Sequence, residues 1–483
     1  MTPLPVAVIL FLLTCRSTSP AAPSTEVPAG AAVDAAAPES PRLAAPDDAT
    51  SADAELESIA VDDAHPAVDA VEPAPSVPSP SPPFFAMFGG DLMAHDQIRS
   101  VAAEHATGDP ATGWSWLLRE ITPIKRRLEA LGRVVFVANL EFPVANEREE
   151  PRRWPPRFNG PPAAPLGFHE AGVDVVTVAN NHAYDQHREG LAETVAAARD
   201  AGLRTAGGGA EFEAHAPVFL SEAEPRIAML AYLWTPSTYR DPSDPAAARV
   251  ATLDDRVEDE VRAARADADL LFVVVHWIGE FVEEPLPEWR EWTERIAAAG
   301  ADAIVCHGPH VVGPVEKTAV EGRAVPVVFS LGNLVSNMGW GVHPGVVPAE
   351  TDDSEFRSEA RREALATFRI VATGDGSAPG WAIDGLWMIP LWLEDNKPVT
   401  TLRGGPLREI FPRPMPWCVP DPRVGCWERA PDEWCKGRLA MILAAREELH
   451  QVMWSAPAPA LEPCPPGSNA YEPPFEWSDP DGI

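Results

Sequence analysis

The stretch "DVVTVANNHAYD" (Asp174–Asp185) joins an apolar run to a cluster of amide, imidazole and carboxylate side chains. Its β-branched first half is typical of a buried strand. Taken alone, the asparagines and aspartate that follow favour a turn, since Asn and Asp readily adopt left-handed backbone conformations. Turn formation does not account for His182. The segment is therefore either a turn after a strand or one part of a functional site. The choice between these interpretations depends on the rest of the sequence.

Apolar runs of similar length recur between residues 84 and 335, with polar clusters and helix-like stretches between them. Two helix-like stretches, 189–202 and 287–300, each end at a glycine that can cap a helix. Residues 365–403 resemble strands joined by tight turns. Strands that alternate with helices predict an α/β sandwich whose sheets are parallel or mixed. The runs are "FFAMFGG" (84–90), "VVFVA" (134–138), "VDVVTVA" (173–179), "RIAMLAYLW" (226–234), "LLFVVV" (270–275), "ADAIVC" (301–306) and "VPVVFS" (325–330).

The 483-residue chain is strongly acidic, with a formal net charge of −34. Residues 21–80 are rich in Asp, Glu, Pro and Ala and poor in large apolar side chains, which predicts a disordered linker. The remainder is also acidic, which argues against binding to a nucleic-acid backbone or to anionic lipid. We therefore expect no nucleic-acid partner.

The N-terminal sequence "MTPLPVAVILFLLTCRSTSP" predicts an exported protein. Its apolar run, 4–13, is too short to span a bilayer and suits the core of a signal peptide. "LLTC" resembles a bacterial lipoprotein signal, in which Cys15 would carry the lipid. A plain export signal and a buried apolar element are the alternatives. We expect contact with the membrane only through this anchor.

Four of the six cysteines lie in a Pro- and Trp-rich C-terminal tail. In an exported protein they predict two disulfides, for which three pairings are possible. A zinc site is the alternative, but no CxxC pair or nearby histidine supports it. Cys306 is expected to be a buried thiol, because no base accompanies it. The four cysteines of the tail are Cys418, Cys426, Cys435 and Cys464.

Polar side chains follow five of the predicted strands. Because ligands bind at the carboxyl ends of strands in α/β sheets, these side chains should meet at one rim. Each of them alone has a structural explanation, as a turn, a helix cap or a buried histidine, but turns do not explain a set with four imidazoles. Carboxylate, amide and imidazole groups together are typical ligands of Zn²⁺, Mn²⁺ or Fe²⁺. The set is Asp91, Asn139, Glu141, Asn180, Asn181, His182, His276, His307 and His310.

The motifs that carry these residues resemble the bacterial capsule-synthesis CapA family, which is linked to poly-γ-glutamate. They occur in the family's order, and the resemblance covers roughly residues 84–400. It implies a fold similar to calcineurin-like metallophosphatases, namely a β-sandwich flanked by helices. The motifs are "GGDLM" (89–93), "ANLEFP" (138–143), "GVDVVTVANNHAYD" (172–185), "EGLAET" (189–194), "HWIGEF" (276–281), "AAAGADAIVCHGPHVVGPVE" (298–316) and "VFSLGNLV" (328–335).

The resemblance also implies a role for each strand-end residue. His182 would be the catalytic imidazole, and Asp185 would either orient His182 or cap the following helix. Asn139 and Asn180 would support a shell around one or two divalent ions, Mn, Zn or Fe. The metal ligands implied are Asp91, Glu141, Asn181, His276, His307 and His310.

Several positions depart from the family pattern or add to it. Met93 stands where metallophosphatases carry a histidine ligand, so one of two metal positions lacks a ligand. Ile278 and His187 replace glycines; the first would narrow the pocket, and the second is either an exposed histidine at a helix start or a polar group at the mouth. The arginines of "PRRWPPRFNG" (151–160) form either a basic patch for an anionic polymer or a solvated loop.

These observations predict four segments: a signal or lipoprotein-like segment (1–16), a disordered acidic linker (17–82), the CapA-like domain (83–405) and a Cys/Pro/Trp-rich extension (406–483). The predicted function is that of a cell-envelope hydrolase or transferase of capsule synthesis, metal-dependent and acting on a phosphoester or an amide. The alternative is a non-catalytic protein that anchors or guides a capsule polymer. Either way, the expected partner is a capsule polymer or another envelope-associated substrate. A serine hydrolase is disfavoured because the chain has no G-x-S-x-G motif.

Overall fold

Two β-sheets lie face to face in the computed structural model, which describes residues 81–153, 156–235, 249–344, 357–373, 380–400 and 407–472. The predictions for residues 1–16 and for the linker up to residue 80 fall outside these ranges. The described residues belong to one compact unit, Val77–Ile483.

The first sheet is mixed. Its strands lie in the order β16-β15-β14-β1-β2-β3-β4, and β13 pairs with the end of β1. Strands β1 to β4 are mutually parallel, whereas β14, β15 and β16 extend the sheet in antiparallel fashion. The strands are β1 (Phe84–Leu92), β2 (Arg133–Leu140), β3 (Val175–Thr177), β4 (Arg204–Ala206), β13 (Asn333–Val335), β14 (Arg362–Thr373), β15 (Gly380–Asp395) and β16 (Ile410–Pro414).

The second sheet has the order β11-β12-β10-β9-β7-β6. Its centre is parallel, and its two edge strands are antiparallel to their neighbours. Strands β5 (Gly208–Gly209) and β8 (Arg249–Val250) form a separate two-stranded ribbon. The six strands are β6 (Val218–Ser221), β7 (Ile227–Leu233), β9 (Leu270–His276), β10 (Ala303–His307), β11 (Val315–Val320) and β12 (Arg323–Val328).

The inner faces of the two sheets bury a shared apolar core. Phe88 on the first sheet meets Phe272 on the second with ring centroids 5.3 Å apart, and Phe368 packs against both rings. Such a core explains why the sequence shows continuous apolar runs rather than strict alternation, since each central strand is covered on both faces. The removal of this apolar surface from water stabilises the sandwich.

Helices cover the outer face of each sheet. Those between β1 and β4 place side chains such as Trp114 and Phe168 on the first sheet. Two others cover the second sheet with Val261 and Trp289. The helices are α1 (Asp96–His105), α2 (Ala111–Leu117), α3 (Thr122–Glu129), α4 (Ala163–Glu170), α5 (His187–Asp200), α6 (Glu211–Ala214), α7 (Val257–Ala266), α8 (Pro287–Ala299), α9 (Lys397–Thr400) and α10 (Asp432–Trp454).

The predicted class, an α/β sandwich flanked by helices, is confirmed. All seven apolar runs contain strands, and α5 and α8 are followed by Gly202 and Gly300 at φ +90° and +127°. The expectation of strands throughout 365–403 is wrong at its end, where α9 forms. The Asp395 carboxylate accepts the Lys397 N–H at 2.9 Å and so starts a helical turn in place of a strand.

The C-terminal residues pack on the sandwich. Strand β16 extends the first sheet, and α10 contributes Ile442, Leu449 and Met453 to the core between the sheets. The predicted boundary at 405/406 therefore separates segments that share one core. Two disulfides join Cys418 to Cys464 and Cys426 to Cys435, which selects one of the three possible pairings. Among the described helices, none has the length and apolar character needed to cross a bilayer.

Candidate metal centre

The carboxyl ends of four strands meet at one rim of the sandwich. Asp91 on β1 pairs in register with Asn139 on β2 and with Asn333 on β13. In the second sheet, His276 at the end of β9 lies opposite His307 at the end of β10. The parallel pairing of these strands therefore brings groups that are distant in sequence to one place, as predicted for the ends of strands in α/β sheets.

Two glycines permit this close approach. A Cβ on Gly90 would lie 2.1 Å from the Gly332 carbonyl oxygen. Gly308 has φ +104°, and a Cβ there would lie 2.0 Å from the Trp277 carbonyl oxygen and 3.0 Å from His276 Nε2. Only a residue without a side chain fits at either position. The turn that carries His307 and His310 can therefore fold against the other strand ends.

Three buried side chains offer donor atoms to a single point. One donor atom each from Asp91, Glu141 and His276 lies within 4.8 Å of the other two. Glu141 Oε1 is 3.8 Å from His276 Nε2 and 3.7 Å from His310 Nε2. Two carboxylates and imidazole nitrogens at this spacing match the donor set that Zn²⁺, Mn²⁺ and Fe²⁺ prefer.

The other three predicted ligands contact this group. Asp91 Oδ1 lies 3.5 Å from His307 Nδ1, and Asp91 Oδ2 lies 3.2 Å from His310 Nδ1. The Asn181 amide oxygen lies 2.9 Å from His276 Nε2. The structure thus places all six predicted ligands in one connected network, although their binding of a metal remains a prediction.

The electrostatic properties of this group favour the binding of a cation. Glu141 Oε1 and both ring nitrogens of His307 are buried and have no hydrogen-bond partner among the described residues. Burial, together with the neighbouring charge of Asp91, raises the pKa of Glu141 well above its usual value, and burial lowers the pKa of His276 to about 3. A buried carboxylate and unpartnered imidazole nitrogens are costly unless an ion compensates them. A divalent ion would supply this compensation.

Asp91 differs from Glu141 in its charge state. Burial alone would raise the pKa of Asp91, but the hydrogen bond with His310 and the nearby imidazoles of His307 and His276 lower it far below the usual range. Asp91 is therefore the carboxylate that is ionised most readily. The surroundings therefore lower the pKa of Asp91 and raise the pKa of Glu141.

Asn139 links the two carboxylates. Its amide nitrogen donates to Asp91 Oδ1 at 2.7 Å and lies 3.4 Å from Glu141 Oε2. Its amide oxygen accepts hydrogen bonds from the Thr177 hydroxyl and the Asn180 amide, both at 3.1 Å. These acceptor contacts fix which way the Asn139 amide points. The supporting positions predicted for Asn139 and Asn180 agree with this geometry, whereas Thr177 was not among the predicted residues.

His182 and Asp185 form a pair beside the group. Asp185 Oδ2 lies 2.9 Å from His182 Nδ1, and the same oxygen accepts the Phe158 N–H at 2.6 Å. The capping role considered for Asp185 does not apply, because Gln186 precedes α5 and makes no side-chain cap. Of the two predicted roles, the structure supports orientation of His182.

A cavity of about 550 Å³ lies beside this pair and the metal group. His182, His310 and Met93 are among its lining residues. The aromatic ring of Phe158 packs edge-on against His182 with centroids 4.5 Å apart. A substrate in this cavity would therefore lie against both His182 and His310.

The residues that depart from the family pattern have clear positions. Met93 is buried in the core between the first sheet and its helices, and Ile278 packs against the same core. His187 starts α5, and its side chain is 54% exposed and lies 3.4 Å from Glu149. This position supports the interpretation of His187 as an exposed histidine at a helix start. Cys306 is buried, and burial raises the pKa of its thiol, as expected for an unreactive cysteine.

Besides Thr177, sequence reasoning missed three contributors. Asn333 lies 3.0 Å from His310 Nδ1 through its amide oxygen and donates to the His310 carbonyl at 3.2 Å, which holds His310 at φ +60°. His95 lines the cavity, and Glu363 buries a carboxylate whose oxygens have no partner among the described residues. The motif "SLGNLV" contains Asn333 and was the available signal for it.

Comparison with known proteins identifies similar sequences. The family model described as bacterial capsule synthesis protein PGA_cap matches residues 86–338. Capsule biosynthesis protein CapA of Bacillus anthracis is 24% identical over 259 residues, which cover 52% of this chain and 59% of that protein. A probable polyglutamine synthesis accessory protein of Mycobacterium tuberculosis is 26% identical over 264 residues, which cover 51% and 64% of the two chains.

The chain spans less than two thirds of the length of these curated relatives. Among solved structures, sulfate thiohydrolase SoxB of Thermus thermophilus aligns with 63% of this chain and 57% of its own at a TM-score of 0.34 and 11% identity.

Proposed function

The chain belongs to the bacterial capsule synthesis protein PGA_cap family, and on that premise we propose that it is a metal-dependent hydrolase or transferase of capsule synthesis, acting on a phosphoester or an amide bond. One observation carries the proposal. His310, which lies 3.2 Å from Asp91 and 3.7 Å from Glu141, lines the same cavity as His182, whose Nδ1 is held by Asp185.

The metal part of the proposal rests on the donor set. Asp91, Glu141 and His276 would hold one or two divalent ions, Mn²⁺, Zn²⁺ or Fe²⁺, with His307, His310 and Asn181 completing the shell. A bound ion of this kind polarises an electrophile and lowers the pKa of coordinated water. Glu141 Oε1 and the ring nitrogens of His307 have no hydrogen-bond partner in the described part of the chain, which supports this assignment.

His182 would transfer the proton. Its Nδ1 is engaged by Asp185, which leaves Nε2 as the ring nitrogen for the cavity that His182 lines. A positioned imidazole that protonates a leaving group contributes typically 10²–10⁴-fold to a rate. The carboxylate behind it would hold the ring and stabilise its protonated form.

The location and partner of the protein are also part of the proposal. The names of the relatives, which refer to capsule biosynthesis and to polyglutamine synthesis, support a role at the cell envelope with a capsule polymer as partner. The N-terminal sequence supports export and a lipid anchor at Cys15.

A non-catalytic role in anchoring or guiding a polymer would use the same cavity. The arginines in its lining favour this second candidate, because they suit an anionic chain. The His182–Asp185 pair favours the enzyme, because simple binding does not require an imidazole held beside a metal group.

The test compares the wild-type protein with His182→Ala after reconstitution with Mn²⁺, Zn²⁺ or Fe²⁺. We expect hydrolysis of p-nitrophenyl phosphate or of a γ-linked glutamate oligomer to fall by about 10²–10⁴-fold in the variant, with unchanged metal content. His187→Ala, an exposed histidine at the start of α5, is the matched control and should keep wild-type activity. Equal activity in His182→Ala would remove the proposed proton donor. A metal-loaded wild type inactive on both substrates would favour the non-catalytic role.

A further inference from the structure

One wall of the cavity carries positive charge in a strongly acidic protein. Arg152, Arg153 and Arg157 all line it, whereas the chain has a net charge of −34. The acidic residues of the lining are Asp96, which is largely exposed and lies 3.8 Å from Arg99, and Glu280. Glu149, outside the lining, pairs with Arg157 at 2.5 Å, so Arg152 and Arg153 are the arginines that we consider for an anion. An overall negative field repels anions, so a local cluster of arginines is what would allow an anion to enter.

The arginine wall is fixed relative to His182. Arg152 and Arg157 exchange backbone N–H···O hydrogen bonds of 3.0 Å in both directions, which forms an antiparallel bridge between them. The next residue, Phe158, donates its N–H to Asp185, which in turn contacts His182. A displacement of these bridged residues would therefore disturb the His182–Asp185 pair.

His95 presents a hydrogen-bond donor to the same cavity. Its Nδ1 lies 3.2 Å from the backbone N–H of Asn337 and must accept that hydrogen bond. The ring proton of the neutral imidazole therefore resides on Nε2. Burial and the positive charges of His310, His182 and Arg153 lower the pKa of His95 to about 3, so the ring is neutral at physiological pH.

This tautomer excludes His95 as a replacement for the ligand that is absent at Met93. A metal ligand needs a lone pair on the coordinating nitrogen. In His95, Nε2 carries the proton and Nδ1 accepts a hydrogen bond from the Asn337 N–H, so neither nitrogen offers a lone pair. The Nε2–H group can instead donate a hydrogen bond to an oxygen atom of a bound molecule.

We propose that His95 and Arg153 form a subsite that binds an anionic oxygen group of the substrate, a carboxylate or a phosphate, beside the metal group. That the bound group belongs to a substrate rests on the proposed function. The presence of hydrogen-bond donors on His95 and Arg153 does not depend on it. Arg153 supplies charge and paired donors, and His95 supplies a neutral donor. Phe281, Met338 and Trp340, which also line the cavity, are apolar or aromatic and suit the carbon skeleton between anionic groups.

The test measures binding of two probes, inorganic phosphate and a γ-linked glutamate trimer, by isothermal titration of the full chain. An N-acetylated γ-linked isoglutamine trimer, in which every carboxyl group is an amide, serves as the uncharged comparison. We expect Arg153→Gln to weaken binding of at least one anionic probe tenfold or more, with no effect on the uncharged trimer. The probe that is affected identifies the anion as phosphate or carboxylate.

A pair of substitutions at His95 tests the donor itself. His95→Asn keeps an acceptor near Nδ1 for the Asn337 N–H but removes the donor at Nε2, whereas His95→Gln places an amide N–H near Nε2. We expect threefold to tenfold weaker anion binding in His95→Asn and near wild-type binding in His95→Gln. Arg262→Gln, an exposed arginine on α7, is the control and should bind as the wild type does.

Titrations with chelator-treated and metal-loaded protein separate this inference from the proposed function. Loss of anion binding in the variants of the metal-free protein supports the subsite whether or not a metal binds. Wild-type affinity for both anionic probes in Arg153→Gln and His95→Asn would overturn the subsite, even if the protein binds metal and is active.

Discussion

Asp185 Oδ2 lies 2.9 Å from His182 Nδ1 and also accepts the Phe158 N–H at 2.6 Å. One carboxylate oxygen thus holds the imidazole of His182, which lines the cavity, and the backbone of Phe158, which follows Arg157. Because both contacts converge on a single atom, Asp185 is a positioning residue for the whole substrate side of the cavity.

Asp185→Asn should retain the fold but lose most of the activity. The amide oxygen can still accept the Phe158 N–H, whereas the negative charge that stabilises a protonated His182 is removed. We expect kcat to fall by about 10²–10⁴-fold and the alkaline limb of the pH–rate profile, where the proton donor loses its proton, to shift to lower pH. Metal content should remain that of the wild type. A variant with wild-type kcat and an unshifted profile would show that Asp185 has only a structural role.

Asn139→Leu should weaken both the fold and the metal group. The substitution preserves volume but leaves the Asp91 and Glu141 carboxylates without the amide between them. We expect a loss of about 1–3 kcal/mol in the free energy of unfolding of the metal-free protein. Metal affinity should fall by about 10–100-fold, as for other residues that orient ligands.

Urea denaturation and metal titration measure these two effects. Asn146→Leu, at an exposed asparagine, is the control and should leave metal affinity unchanged. If Asn139→Leu binds metal as tightly as the wild type, Asn139 does not organise the carboxylates.

Glu363→Gln should make the protein less sensitive to alkaline pH. Both carboxylate oxygens of Glu363 are buried without a partner among the described residues, and burial raises the pKa of Glu363 well above 4.5. The folded state therefore keeps its proton at pH values where the unfolded state has lost it. The contribution of this group to stability is present below about pH 4.5 and is lost as the pH rises.

The variant cannot ionise, so its free energy of unfolding should exceed that of the wild type increasingly from pH 5 to pH 8, by up to about 1.4 kcal/mol per pH unit. Glu170→Gln, at an exposed site, should follow the wild-type profile. Parallel profiles for Glu363→Gln and the wild type would mean that Glu363 is ionised in the folded protein.

The two disulfides should differ in their contribution to stability. The Cys418–Cys464 disulfide closes a loop of 46 residues and the Cys426–Cys435 disulfide a loop of 9 residues. The disulfide that closes the longer loop restricts the unfolded chain more. Replacing Cys418 and Cys464 by serine should therefore cost about 1.4 kcal/mol more than replacing Cys426 and Cys435, as chain entropy predicts. Guanidinium denaturation of the two double variants under oxidising conditions measures the difference. A larger loss from the 426–435 pair would contradict the entropic explanation.

The sequence predicts those residues of the site that lie at the ends of strands. Asp91, Glu141 and His276 each follow an apolar run, and parallel strands bring such positions to one rim. The contacts of His95 and Thr177 depend on how loops and neighbouring strands pack, which periodicity does not describe. The pairing of the cysteines was likewise open, because spacing along the chain does not determine which Cβ atoms meet.

The central claim is that the strand-end group binds a metal. The most direct test is metal analysis of the full chain after removal of metal with a chelator and reconstitution with Mn²⁺, Zn²⁺ or Fe²⁺. Asp91→Asn and Glu141→Gln serve as ligand variants, and Asp96→Asn, at an exposed aspartate on α1, serves as the control. We predict one or two equivalents of bound metal in the wild type and the control, and a loss in both ligand variants. A reconstituted wild-type protein without bound metal would contradict the account.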